Sequence, residues 1–168
     1  MSATPLIRTT LPADDRAICA IVTAAFGQAD EADLVDRLRA DGDAEISLVA
    51  VRDSAIVGHV LLSRMQAPAH ALGLAPVSVR PLAQGQGIGS ALIRAALGMA
   101  REEGWKAVFV LGDPGYYTRF GFQTELAKRF ESPYAGPHFM ALELLPGALT
   151  GNGGTATEAR YAPAFEAT

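Results

Sequence analysis

The 168-residue chain contains a single cysteine, Cys19, which excludes an intrachain disulfide and any cysteine-built metal cage. Histidine is nearly as scarce. His59, His70 and His138 lie far apart, with no His-x-x-x-His or Cys/His spacing, so no metal site is expected. Runs of basic residues are also missing: 14 Lys and Arg face 18 Asp and Glu, a formal net charge of −4 that offers a nucleic-acid backbone no footprint. No segment reaches the roughly 18 apolar residues of a membrane span, and Met1-Ser2-Ala3-Thr4-Pro5 lacks the basic-then-apolar pattern of a leader. These absences lead to the expectation of a cytoplasmic protein without a nucleic-acid or membrane partner. What remains is 49% hydrophobic material with no internal repeat or low-complexity linker, enough for one core and one domain over residues 1–168.

The most informative stretch is Val77-Ser78-Val79-Arg80-Pro81-Leu82-Ala83-Gln84-Gly85-Gln86-Gly87-Ile88-Gly89-Ser90-Ala91-Leu92. An apolar strand enters a loop with alternating glycines, which opens directly onto a helix. Without Cβ atoms at Gly85, Gly87 and Gly89, a ligand can reach the backbone, and the amides of the turn and the first helical turn can converge on one anion. Two familiar phosphate loops do not fit. A Walker loop needs Gly-Lys-Ser/Thr, whereas Gly89 is followed by Ser90-Ala91. A dinucleotide fingerprint needs a third glycine where this chain has Ser90 or Leu92, depending on the starting glycine.

Around this loop the periodicities predict a short strand at residues 6–9, then a helix with Pro12 in its first turn and Ile18, Ile21, Val22, Ala25 and Phe26 on one face, ended by Gly27. Asp30 is expected to cap a second helix over residues 31–40, with Leu34, Val35 and Leu38 inward and Asp33, Asp36 and Arg37 outward. Residues 47–51 and 56–62 read as an antiparallel hairpin, and a third strand over 73–79 feeds the glycine loop. The helix from Gly87 carries Ile88, Ala91, Leu92, Ala95, Ala96 and Met99 as its apolar stripe, with Arg94 and Arg101 opposite. Residues 107–111 form a buried strand parallel to its neighbour, 114–120 a short helix, and 139–144 another strand. After the glycine-rich turn at 151–154, a weak polar strand near 155–161 and a loosely attached tail complete the reading. The order β-α-α-β-β-β-α-β-α-β predicts an α+β domain with a mixed, mainly antiparallel sheet flanked by helices. The core spans about 5–145, with a C-terminal strand and tail over 146–168.

The order Gln-x-x-Gly-x-Gly from Gln84 to Gly89, after Val-x-Val, resembles the acetyl-CoA pyrophosphate loop of the GNAT N-acetyltransferase superfamily. Leu111-Gly112-Asp113-Pro114-Gly115-Tyr116-Tyr117-Thr118-Arg119-Phe120-Gly121-Phe122 resembles the second hallmark, an aromatic-Tyr-x-x-x-Gly-Phe helix. The family's usual asparagine after that strand is absent, and the Gly-Asp-Pro variant looks like a small bacterial subgroup. The resemblance covers roughly residues 5–145 and implies a fold in which two central parallel strands splay apart around the cofactor. It implies an acetyl-CoA co-substrate held by Val77, Ser78, Val79, Gln84, Gly85, Gln86, Gly87, Ile88, Gly89, Ser90 and Tyr117. It also implies an oxyanion donor in the backbone near Ser78 or Val79, and Tyr117 as the acid that protonates the departing thiolate.

The implied reaction is direct attack by a primary amine of a small molecule or a protein, with no covalent acyl-enzyme; no activated Ser-His or Cys-His arrangement is recognisable. The alternatives are a non-catalytic acyl-CoA sensor and O-acyl transfer. A homodimer is compatible with any of them. Many family members carry a glutamate on the strand before the loop, but Gly73-Leu74-Ala75-Pro76-Val77-Ser78-Val79 has no carboxylate. Glu31 and Asp33 stand where such enzymes wall the acceptor site, so Glu31 is the candidate base, against the simpler reading of both as helix-dipole complements or of a water chain as the base. Arg80 is equally suited to a CoA phosphate or to solvent.

Overall fold

The computed structural model describes residues 4–150 and 158–167. Their strands β1 (Leu6–Thr9), β2 (Ala44–Arg52), β3 (Ala55–Arg64), β4 (Ala71–Val79), β5 (Ala107–Leu111) and β6 (Phe139–Glu143) form one sheet in chain order. Every neighbouring pair is antiparallel except β4 with β5. That exception follows from the helix between them: a crossover returns the chain in the same direction, whereas a tight turn reverses it. The β2–β3 turn is such a reversal, with Asp53 and Ser54 both at positive φ (52° and 63°), the geometry that matches strand twist.

Helices α1 (Asp15–Phe26) and α2 (Asp30–Ala40) cover one face of the sheet through Ile18, Val22, Leu34, Val35 and Leu38, which pack on Val49 and Leu61. The entry to α1 is a 3-10 turn, Pro12–Asp14. Asp14 accepts from the Leu11 N–H at 2.7 Å and from both Arg8 guanidinium nitrogens at 2.8 and 3.0 Å. Those bonds hold its carboxyl below the usual range, with the Arg8 bond the larger cause. Gly27 ends α1 in the left-handed region (φ 72°), as expected. The Asp30 cap is corrected: Ala29 occupies the N-cap, Asp30 is the first helical residue, and no side chain caps the end. Cys19 lies exposed on α1.

Helix α3 (Ile88–Glu102) covers the opposite face. Its buried stripe is Ile88, Leu92, Ile93, Ala96, Leu97 and Ala100, rotated from the expected one; Ala91, Ala95 and Met99 are only half-buried along its edge. The sequence offers two overlapping stripes of similar apolarity, and packing chooses the one with the bulkier residues.

The loop before β6, expected to be irregular, contains a further short helix, α5 (Thr124–Ala127), after α4 (Pro114–Tyr117). The expected strand near 155–161 falls partly outside the described residues, as does the turn at 151–154. Within them Glu158 and Arg160 make only isolated bridges, to Glu131 and Ala67. The tail is not loose: Ala159, Tyr161, Ala162 and Ala164 are all buried. Its few apolar residues are spaced too irregularly for a periodicity to reveal that anchoring.

Candidate active site

The parallel pairing of β4 with β5 is confined to Ala71–Ala107, Leu72–Val108 and Gly73–Phe109. Beyond Gly73 the strands separate, while β4 continues on β3 as far as Val79 opposite Gly58. The Arg80 N–H donates to Val57 O at 2.8 Å. Backbone groups alternate along a strand, so the N–H and C=O of Val79 point away from β3 into the fork. The Val79 carbonyl there accepts from Gln84 Nε2 at 3.0 Å. Of the two expected oxyanion positions, Val79 is the one whose amide faces the open side.

After β4 a 3-10 turn, Pro81–Ala83, leads to Gly85 and Gly87, both left-handed (φ 77° and 82°). Glycine adopts that conformation without steric cost, and at the helix start it turns consecutive amides to one side. The first intrahelical bond runs from Ala91 N–H to Gly87 O at 3.0 Å, which leaves the Ile88, Gly89 and Ser90 amides without a partner among the described residues, at the positive end of α3. They open on a cavity of about 360 Å³ whose walls include Val79, Gln84, Gly85, Gly87, Tyr116 and Arg119. The alternating glycines serve distinct purposes. Gly89 is the one with close neighbours, where a Cβ would make ordinary contact at 3.4 Å from the Tyr116 hydroxyl and 3.6 Å from Val79. Gln86 is held from the other side by Arg52, which donates to its Oε1 at 2.6 Å.

Asp113 caps α4 by accepting from the Gly115 N–H at 3.0 Å. The short helix presents its two tyrosines differently. Tyr116 exchanges a hydrogen bond with Ser90 Oγ at 3.1 Å and carries the Arg119 guanidinium 4.6 Å above its ring. Tyr117 lies flat on Gly112, where a Cβ would come within 2.4 Å of the ring, and its hydroxyl makes no hydrogen bond among the described residues. Burial first, and the neighbouring Tyr116 second, push its pKa up to about 12. Gly112 and Arg119, in contact with the two tyrosines, therefore join the candidate site, and neither is marked by the motif. The Gly-Asp-Pro departure was the available signal for Gly112.

On the opposite face of the fork stands Tyr161, also absent from the expected site. Its ring rests against Gly73, the last paired residue of β4, where a Cβ would lie 2.4 Å from Cε1. Phe165 stacks beside it at 4.9 Å and Tyr134 at 5.4 Å, while Gln66 Nε2 donates to its carbonyl at 2.8 Å. Burial first, then Tyr134 and Tyr117, push the Tyr161 hydroxyl up. Gly73→Ala forces a buried aromatic ring to move, and we expect a loss of about 1–3 kcal/mol. A urea midpoint matching that of the wild type would show that the ring yields freely.

Glu31 is in the first turn of α2, where Gln28 Nε2 donates to its carboxylate at 3.2 Å, and no described contact joins it to Val79 or Tyr117. Arg80 is exposed. Among the described residues no group of three or more His, Cys, Asp or Glu gathers to hold a metal ion, and no helix is long and apolar enough to cross a membrane.

The family model described as Acetyltransferase (GNAT) family matches residues 16–122, which contain both the glycine loop and the Tyr117 helix. The uncharacterized N-acetyltransferase YhbS of Escherichia coli K12 is 38% identical over 122 residues, covering 70% of this chain and 73% of that protein. A crystal structure of E. coli YhbS in complex with CoA superposes with a TM-score of 0.89 at 32% identity, covering 99% of this chain and 94% of the other. A GNAT family acetyltransferase from Brucella melitensis in complex with acetyl-CoA gives 0.80 at 34% identity, covering 96% and 97%. With both motifs inside the matched region and the splayed sheet in place, the chain belongs to the GNAT family and is an acyltransferase.

Proposed function

We propose that this chain moves the acetyl group of acetyl-CoA to a primary amine of a small molecule or protein, by direct attack and in the cytoplasm. The observation that carries the reading is the fork itself: an unpaired Val79 N–H faces the gap between β4 and β5, and the gap leads to free amides at the positive end of α3. The cofactors in the YhbS and Brucella structures support CoA as the ligand of that cradle. The Gly112-Asp113-Pro114 variant supports membership of a small bacterial subgroup of the family.

In this reading the amides from Gln86 to Ser90 bind the pyrophosphate, and the backbone of Val77, Ser78 and Val79 lies along the pantetheine arm. The amine nitrogen attacks the thioester carbon, and the developing oxyanion is met by the Val79 N–H. As the C–S bond breaks, the sulfur takes the Tyr117 proton. A cavity of about 640 Å³ beyond the end of β5, lined in part by Pro114, Ala127, Phe130 and Phe139, offers volume to the acceptor on the face away from α3. Release of free CoA thiol from acetyl-CoA in the presence of n-hexylamine, kanamycin or a peptide with a free N-terminus tests the reading. CoA binding without thiol release from any of them would favour a sensor.

The acidic first turn of α2, with Asp30, Glu31 and Asp33, supports a cationic acceptor. Glu31→Gln keeps the size and removes the charge. It is expected to raise the acceptor KM severalfold at low salt, with a smaller effect at high salt, while kcat and CoA affinity are retained. If KM and the alkaline rise of kcat/KM both stay put, Glu31 is only a helix-start residue.

A further inference from the structure

The acceptor nitrogen must lose a proton, and β4 carries no carboxylate to receive it. Among the described residues, three buried side chains on the α1/α2 face of the sheet carry polar atoms without partners: Nδ1 of His59, Oγ of Ser78 and Oγ of Ser63. His59 has no exposed surface, and Ser78 is 2% exposed. Leaving such groups unsatisfied is costly, so two on adjacent strands are a feature to be explained. His59 and Ser78 are direct cross-strand partners in the β3–β4 register. Their Cβ atoms therefore stand about 5 Å apart on the same face, a span that one water can bridge. Ser78 immediately precedes Val79, whose amide faces the fork.

On its other side the imidazole continues the path. His59 Nε2 shares a hydrogen bond with Ser47 Oγ at 3.0 Å, and Ser47 is partly exposed in a cavity of about 220 Å³ whose walls include Thr9, Thr10, Arg39 and Glu45. Polar groups thus line up across three strands, from the fork on β4 through β3 to the surface on β2. We propose that Ser78, His59 and Ser47 form a relay that carries the acceptor's proton from the fork to this cavity, a role that rests on the N-acyltransferase function proposed above.

The transfers balance without any charge stored in the sheet. The ammonium gives a proton to Ser78 Oγ, which passes its own through the bridging water to His59 Nδ1. His59 Nε2 releases a proton to Ser47 Oγ, and Ser47 releases one to solvent. The environment suits a conductor better than a store. Burial, and secondarily the positive Arg39, push the His59 pKa down to about 4. The charged groups around the cavity are already paired, Arg39 with Asp15 and Asp36 and Glu45 with Arg64. His59 therefore stays neutral from pH 5 upward, able to accept at one nitrogen as it releases at the other.

The test compares wild type with His59→Gln and Ser78→Ala, using acetyl-CoA and the panel amine that the wild type acetylates fastest, at pH 7 and pH 10. Glutamine can still bond to Ser47 but cannot shuttle a proton. At pH 7 the amine arrives as an ammonium, and kcat/KM should fall about tenfold to a hundredfold in both variants. At pH 10 much of the amine arrives neutral and needs no relay, so the deficit should shrink below about threefold. Acetyl-CoA affinity should match the wild type at both pH values. Equal losses at both pH values, which a packing role would produce, overturn the relay, and so does wild-type activity at pH 7. If His59→Gln does not fold, Ser78→Ala alone decides by the same criterion. A wild type that acetylates no amine brings down the function itself, whereas variants that keep pace with an active wild type bring down only the relay.

Discussion

Gly87→Val is expected to weaken acetyl-CoA binding by about tenfold to a hundredfold in a protein that still folds. The residue sits at φ 82°, where a β-branched side chain is a conformational outlier costing about 1–3 kcal/mol. The loop can escape that cost by turning the peptide over, which removes its amide from the cradle. At 1.4 kcal/mol per factor of ten, the range of strain corresponds to the expected range of affinity. Among the described residues nothing beyond the adjoining backbone lies within 4 Å of the position a Cβ would take, so the fold itself does not resist the new side chain. That open space is what a pyrophosphate would fill. Titration calorimetry with CoA is the check, with Ser78→Ala as the control that should bind normally. An unaltered dissociation constant in folded Gly87→Val would remove the phosphate assignment from this loop.

Tyr117→Phe should lower kcat by roughly ten- to a thousandfold and leave CoA affinity nearly unchanged. The ring lies on Gly112 and survives the substitution; only the hydroxyl, unbonded among the described residues, is lost. Burial favours the neutral phenol and raises its pKa from 10.0 to about 12, so the proton is in place throughout an assay at pH 7–9. The sign of the stability effect follows from the same shift. The contribution is complete below pH 10 and disappears as pH rises toward 12, because the unfolded phenol ionises first. Tyr116→Phe should act weakly on chemistry, since its hydroxyl is already engaged with Ser90. Equal losses at both tyrosines would mean that neither is the acid.

The strands and the glycine loop were legible because local chemistry dictates them. Alternating glycines between Val-x-Val and an apolar helix permit few other structures, and residues 107–111 are legible as a buried strand from their continuous, β-rich apolarity and as parallel from the helix that precedes them. The pieces that escaped depend on distant partners. Tyr161 gains its position from Gly73, far away in sequence, and no periodicity announces such a contact. In the sequence Gly112 is only a motif variation; its role comes from the Tyr117 ring that packs on it. His59 looked like an isolated histidine; its significance comes from the β3–β4 register, which pairs it with Ser78. Asp30 failed as a cap because the helix begins one residue earlier than the Asp-Glu pattern suggests, and its charge still suits the positive helix end.

The sheet runs β1 to β6 in the same order as the chain, so each strand can dock on its predecessor as it leaves the ribosome. The segment that lays Tyr161 on Gly73 is synthesised after all six strands. A chain cut short after β6 would therefore carry all six strands and the glycine loop and still lack the ring that covers Gly73.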